Sequence, residues 1–136
     1  MQLRIAPTRL ISEVQAEFND AFPFLKLEFF QNKSYRQTNQ GPGIRMLHTK
    51  KIGDCQAVIT DGEIEISNNL TVQELEIKFK DQFRLNVQVF RRSGSLWLQT
   101  TMTDGRTLEK QNEHGMELSL AHHSPTALGR EDESID

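Results

Sequence analysis

Hydrophobic and polar positions follow the same order of spacings twice along the chain. In each half, apolar residues first alternate with polar ones, then recur three or four positions apart, and then alternate again. Alternation is typical of a half-buried strand and the longer spacing of an amphipathic helix, so each half is predicted to be a βαβ-like unit. The apolar positions match at an offset of 61 residues, which becomes 60 after Pro23. The matched pairs include Leu3 with Ile64, Ile11 with Val72, Phe18 with Phe79, Leu25 with Leu85 and Phe30 with Phe90.

The second helix has the clearer boundary signals. Thr71 and Glu74 occupy the two positions of a capping box, in which the hydroxyl and the carboxylate each accept a backbone N–H. An apolar stripe continues from there to Phe83, with polar residues largely on the other side. The first helix is predicted to begin near Thr8 and to end before Pro23, because the residue preceding a proline disfavours helical backbone.

The last third of the chain predicts a β-hairpin. A two-residue turn at Ser93–Gly94 joins the alternating segment 85–92 to a second alternating segment, 95–102. This register places Phe90 opposite Trp97, on the face that does not carry the apolar core positions.

We therefore predict an α+β fold in which two βαβ-like repeats form one sheet. The two halves cover residues 2–31 and 63–92. A ferredoxin-like split arrangement is the leading topology, because two successive βαβ units pack readily in this way. The C-terminal hairpin and a short helix over residues 107–114, ended by Gly115, complete the domain.

Length and charge support a single domain with a polar tail. The chain has 136 residues, 36% of them hydrophobic and 26% charged, which predicts one globular domain over residues 1–123. The segment 31–53 carries five basic residues and no acidic ones and is predicted to be a basic loop. The tail, residues 124–136, has a net charge of −3 and is expected to be disordered. The net charge of −3 for the whole chain argues against a dedicated duplex-DNA binder.

Few residues suggest catalytic or metal chemistry. Cys55 is the single cysteine, which excludes an intramolecular disulfide and a multi-cysteine zinc site, and we expect an unreactive thiol. The four histidines lack metal-ligand spacing, and no glycine motif for phosphate binding occurs. The sequence therefore predicts no catalytic residue, no bound metal and no cofactor.

The sequence also predicts a cytoplasmic protein without membrane association. No apolar run approaches the ~20 residues that a membrane span needs. The first residues, 1–7, lack the long apolar core of a secretory signal.

Phe90, Trp97 and Arg92 are predicted to lie on the sheet face away from both helices, and the repeat adds Phe30 to that face. Two interpretations of this aromatic face stay open. The C-terminal helix or the segment after it folds back over the rings, or the rings stay exposed as a docking patch. The full set of candidate binding residues is Phe90, Trp97, Arg92, Phe30, Lys33, Arg36, Lys50 and Lys51.

The leading functional hypothesis is a non-catalytic binding module that contacts another protein through this face and the basic loop, since interface energy concentrates in aromatic and arginine side chains. One alternative is single-stranded RNA binding, with bases stacked on the rings and phosphates on the basic loop. The negative net charge and the absence of a Lys/Arg-Gly-Phe-type signature stand against it. A second alternative is a small enzyme of unknown class, for which no residue constellation is recognisable.

The segment 85–94, followed by Leu96-Trp97-Leu98 and Thr107-Leu108, resembles a motif of small uncharacterised bacterial proteins. The resemblance covers about a quarter of the chain. It implies that the strand, hairpin and following helix form one module, and it implies no activity, cofactor or site.

Overall fold

The computed structural model describes residues 1–31, 43–56 and 59–122. Within these ranges the chain forms six strands and three α-helices, so the predicted α+β class is confirmed. The bounds are β1 Gln2–Ile5, α1 Ile11–Ala21, β2 Leu25–Gln31, β3 Ile44–Arg45, β4 Gly62–Glu65, α2 Val72–Phe83, β5 Asn86–Ser93, β6 Leu96–Gln99 and α3 Leu108–His122. Most of the predicted basic loop, including Lys33 and Arg36, and the acidic tail lie outside the described residues.

The strands form two sheets, not the single sheet that the repeat predicts. β1 pairs with β4 in a two-stranded sheet, and the other sheet has four strands in the order β3-β2-β5-β6. In a split βαβ arrangement, the two strands of each unit lie in one sheet with a strand of the other unit between them. Here β1 pairs with β4 in one sheet and β2 pairs with β5 in the other, so the two strands of each unit lie in different sheets. The ferredoxin-like topology is therefore not adopted.

The helix starts are set by different groups in the two halves. At α2 the predicted capping box is present, with the Glu74 N–H donating to Thr71 Oγ1 at 3.1 Å and the Thr71 N–H to Glu74 Oε1 at 2.9 Å. Helix α1 begins at Ile11, three residues after the predicted start at Thr8. Its first N–H groups donate to carbonyls of the segment 48–50, which lies across the end of the helix.

Two pairs of positions that the sequence pattern matches are also neighbours in the sheets. The matched residues Leu3 and Ile64 lie directly opposite each other in the first sheet, as Glu28 and Gln88 do in the second. Isolated bridges join Leu10 to Lys51 and Thr71 to Thr107. The start of each helix is thus held by a later segment of the chain, residues 48–51 for α1 and 104–107 for α2.

One face of the four-stranded sheet packs against the helices and forms the core. The side chains of Leu27 and Phe29 in β2 and of Val87 and Val89 in β5 point to this face and are buried. Phe29 meets the ring of Phe79 edge-on, with the centroids 5.9 Å apart. Amphipathic helices laid on one face of a sheet bury their apolar stripes in this way.

The hairpin register differs by two residues from the predicted one. Phe90 lies opposite Gln99, Arg92 lies opposite Trp97, and the turn consists of Gly94 and Ser95. Gly94 has a φ of 62°, which suits the first central position of a type II′ turn. A shift of two residues leaves every side chain on its original face, because side chains in a strand alternate with a period of two. Phe90 and Trp97 therefore still share the predicted face.

Helix α3 is longer than predicted and does not cover the aromatic rings. It continues through Gly115 to His122 and packs against β5 and β2 on the core side of the sheet. The side-chain oxygen of Asn112 accepts the Phe24 N–H at 2.8 Å. Gln111 contacts Arg91, which is two positions from Val89 in β5 and therefore points to the same side of the sheet. Gly115 is a close-approach position in the helix and not its end.

Replacing Gly115 with alanine is expected to destabilise the fold by about 1–2 kcal/mol, because a Cβ there lies 2.9 Å from the Phe24 Cβ and 3.2 Å from its carbonyl oxygen. The higher helix propensity of alanine offsets part of this cost. Gly105→Ala is the matched control, since a Cβ at Gly105 meets nothing within 4 Å. Urea unfolding followed by circular dichroism measures both variants. Equal stability of the two would mean that α3 does not pack on this side.

Candidate functional site

The outer face of the four-stranded sheet, the side away from the three helices, carries a patch of aromatic and cationic side chains. We call it the Trp97 patch and define it as Lys26, Phe90, Arg92 and Trp97. Strand alternation brings these residues together, because Lys26 pairs with Phe90 across β2 and β5 and Arg92 pairs with Trp97 across β5 and β6. All four side chains are half-buried.

Two cations lie over the Trp97 ring. Lys26 Nζ is 5.0 Å from the indole centroid and 5.9 Å from the Phe90 centroid, and Arg92 Cζ is 5.4 Å from the indole. These distances are within the range of cation–π attraction. Arg92 is further fixed by its Nε–H, which donates to the Gly94 carbonyl at 2.6 Å. The indole and the guanidinium are thus held against each other at the hairpin end of the sheet.

The two cations differ in how they are neutralised. Lys26 forms an ion pair with Glu28, with a distance of 3.1 Å between Nζ and Oε2. Arg45 is 3.9 Å from the same carboxylate, and Gln15 donates to its other oxygen at 3.2 Å. Arg92 has no carboxylate partner among the residues that the structure describes. A positioned guanidinium without a counter-charge is suited to binding a carboxylate.

Phe30 lies on the same outer face but is not part of the Trp97 patch. It pairs with Asn86, four positions along β5 from Phe90, which corresponds to about 13 Å. Only 7% of Phe30 is exposed, and the Glu28–Gln88 pair lies between it and Lys26. The expected cluster of three rings is therefore a pair of rings, Phe90 and Trp97.

The basic residues of the segment 43–53 lie at the other end of the fold. Lys50 and Lys51 are exposed on the stretch that holds the start of α1. Lys50 and Arg45 line a shallow depression of about 340 Å³, together with Gln31, Met46, Leu47 and Asp54. Since Arg45 pairs with Phe30, this depression is about 20 Å along the sheet from Arg92. The structure does not bring the basic segment and the Trp97 patch together.

Where β6 leaves the sheet, side chains replace the missing strand. The Val89 carbonyl accepts the hydroxyl of Thr100 at 2.8 Å, and the Val89 N–H donates to Glu76 Oε2 at 3.2 Å. Burial raises the pKa of Glu76 to about 7, and the nearby Asp104 carboxylate adds to the shift while the Val89 N–H opposes it. The middle of β5 is thus hydrogen-bonded to a carboxyl group that changes charge near neutral pH.

Other reactive groups are buried or isolated. Cys55 is fully buried, and burial raises the pKa of its thiol to about 12, with the Asp54 charge contributing. Within the described ranges, no group of three His, Cys, Asp or Glu side chains is placed to hold a metal ion. None of the described helices is long and apolar enough to cross a bilayer.

Sequence reasoning missed Lys26, which contacts both rings of the Trp97 patch. The pairing that brings it there is antiparallel, with Glu28 opposite Gln88, so that Lys26 lies opposite Phe90. The predicted ferredoxin-like arrangement hides this pairing, because β2 and β5 are not neighbours in it.

Comparison with known proteins adds no family to this description. No family model, no curated protein and no solved structure matches the chain. The resemblance of the hairpin to a bacterial motif stays a prediction, and conclusions about function depend on the geometry of the site alone.

Proposed function

We propose that the chain is a non-catalytic protein-interaction module whose contact surface is the Trp97 patch. The observation that carries the proposal is the pairing of a half-buried indole with Arg92, which has no carboxylate partner among the described residues. Tryptophan and arginine are the residue types most enriched where interface energy concentrates. Because these two side chains are already held in place, they lose less conformational entropy when a partner binds.

The composition of the patch favours a protein partner over single-stranded RNA. Base stacking needs a free ring face, and Lys26 and Arg92 already lie against the indole. Phosphate binding needs a continuous basic groove, whereas Glu28 lies beside Lys26, and the basic residues Lys50 and Lys51 lie elsewhere.

The proposal is tested by quantitative affinity capture with the wild-type chain and three variants. Trp97→Ala and Arg92→Ala remove the patch, and Lys110→Ala removes an exposed cation of α3 as the control. We expect the same proteins to be lost with both patch variants and retained with the control. The Trp97 variant is expected to lose no more than about 2 kcal/mol of stability, since the ring is only half-buried.

Two results would refute the proposal. One is capture of the same proteins by the Trp97→Ala and Arg92→Ala variants as by the wild-type chain. The other is capture that disappears after nuclease treatment and is reproduced by labelled oligonucleotides at low salt, which would identify an RNA binder.

A further inference from the structure

Strand β6 presents a free backbone edge beside the Trp97 patch. The Arg92 N–H donates to the Phe24 carbonyl at 2.9 Å, on the β2 side of β5. Arg92 therefore does not exchange hydrogen bonds with Trp97, its partner in the antiparallel ladder. The N–H and C=O groups of Trp97, and by alternation those of Gln99, point away from β5. The described part of the chain provides no further strand on that side.

The two faces of β6 differ in chemistry. Leu96 and Leu98 point to the core side and are 63% and 40% exposed, which is high for leucine beside a packed layer. Trp97 points to the outer side, and the Arg92 guanidinium lies over its ring and hence over β6. A chain paired with this edge meets leucines on one face and a cation on the other.

We propose that β6 accepts an extended segment of another protein as an additional strand, and that this segment alternates apolar residues with acidic ones. The apolar side chains lie against Leu96 and Leu98, and a carboxylate binds Arg92 beside the indole. Backbone pairing supplies affinity and the alternating side chains supply specificity, as in other cases of strand addition. The inference rests on the proposed function, since it names the partner of the same patch.

Charge complementarity selects this occupant over a second copy of the chain. Antiparallel pairing of β6 with β6 of another copy places two arginines, Arg92 from each copy, near the same interface without an acidic partner. Like charges at an interface are unfavourable, whereas a carboxylate supplies the counter-charge that no described residue places at Arg92.

The probe is an acetylated and amidated peptide of alternating valine and glutamate, titrated against the full chain. Trp97 is the single tryptophan, so its fluorescence reports binding directly. We expect saturable binding of this peptide, none of the valine–lysine analogue, and new hydrogen-exchange protection of the Trp97 and Gln99 amides. Arg92→Gln is expected to weaken binding about tenfold, and Lys110→Gln to leave it unchanged.

Backbone pairing is tested with the same peptide methylated on alternate backbone nitrogens, in both frames. Strand addition predicts that one frame abolishes binding and the other retains it, because only every second N–H faces the edge. Equal binding in both frames, or equal binding of the lysine analogue, overturns the inference. So does protection of the Trp97 and Gln99 amides before peptide is added, since the tail or a second copy then occupies the edge.

These outcomes separate the inference from the function on which it rests. If affinity capture depends on Trp97 and Arg92 while both methylated frames bind alike, the interaction module stands and the strand addition is wrong. If capture is independent of both residues, the proposed function itself is wrong.

Discussion

Replacing Phe79 with alanine is expected to lower the free energy of unfolding by about 4 kcal/mol. Phe79 is completely buried and packs edge-on against Phe29, so the variant loses a large apolar area, leaves a cavity and breaks an aromatic pair. Domains of this size are stable by about 5–15 kcal/mol, so the loss is a large part of the total. Urea unfolding followed by circular dichroism measures the change.

Phe90→Ala is the matched control, because it makes the same substitution on the opposite face of the sheet. Phe90 is half-buried and no described helix packs over it, so we expect a loss of no more than about 2 kcal/mol. If the Phe79 variant does not fold, Phe79→Leu provides the comparison with a loss of about 1 kcal/mol. Equal losses for the Phe79 and Phe90 alanine variants would contradict the assignment of the core to one face.

At pH values above 7, replacing Glu76 with glutamine is expected to raise the free energy of unfolding by about 2 kcal/mol. Burial raises the pKa of Glu76 to about 7 in the folded chain, whereas an unfolded glutamate has a pKa near 4.3, as a typical value. The folded state therefore binds the proton more tightly than the unfolded state. This contribution is fully present below about pH 4 and is lost as the pH rises through about 7. The expected magnitude is reduced because the carboxyl retains some contact with water.

The measurement compares urea unfolding of the two proteins at low and at slightly alkaline pH. At low pH, Glu76 is protonated and resembles glutamine, which also accepts the Val89 N–H, so the difference is expected to vanish. Glu113→Gln, an exposed position on α3, is the control and is expected to follow the wild-type pH dependence. Parallel pH profiles for the Glu76 variant and the wild type would exclude a buried carboxyl at this position.

The elements with strong local signals were predictable from the sequence. The capping box at Thr71 and the apolar stripe to Phe83 define α2 without tertiary information, and the structure confirms both. Helix α3 shows the limit of such signals. A glycine after an apolar stretch usually ends a helix, but Gly115 is needed inside the helix for contact with Phe24, a residue far away in the sequence.

The sheet arrangement was not predictable because it depends on long-range pairing. Alternation identifies strands and faces, but it does not distinguish parallel from antiparallel neighbours. The hairpin turn is at Gly94–Ser95 and not at the predicted Ser93–Gly94, so every cross-strand pair of β5 and β6 differs from the predicted one. Each side chain nevertheless lies on the predicted face of the sheet, because the two registers differ by an even number of residues.

The candidate site was therefore only partly predictable. Phe90, Arg92 and Trp97 follow from strand alternation alone, and the structure places them together. The cation of Lys26 and the distance of Phe30 from the other rings depend on the pairing of β2 with β5, which the sequence pattern does not contain.

Quenching of the Trp97 fluorescence tests most directly whether the Trp97 patch is open and cationic. Trp97 is the single tryptophan, and at constant ionic strength acrylamide reports its exposure while iodide and caesium report the local charge. An open patch flanked by Lys26 and Arg92 predicts clear quenching by acrylamide, with iodide more effective than caesium. Arg92→Gln is expected to narrow that difference. Weak quenching by acrylamide, or equal quenching by the two ions, would contradict the proposed contact surface.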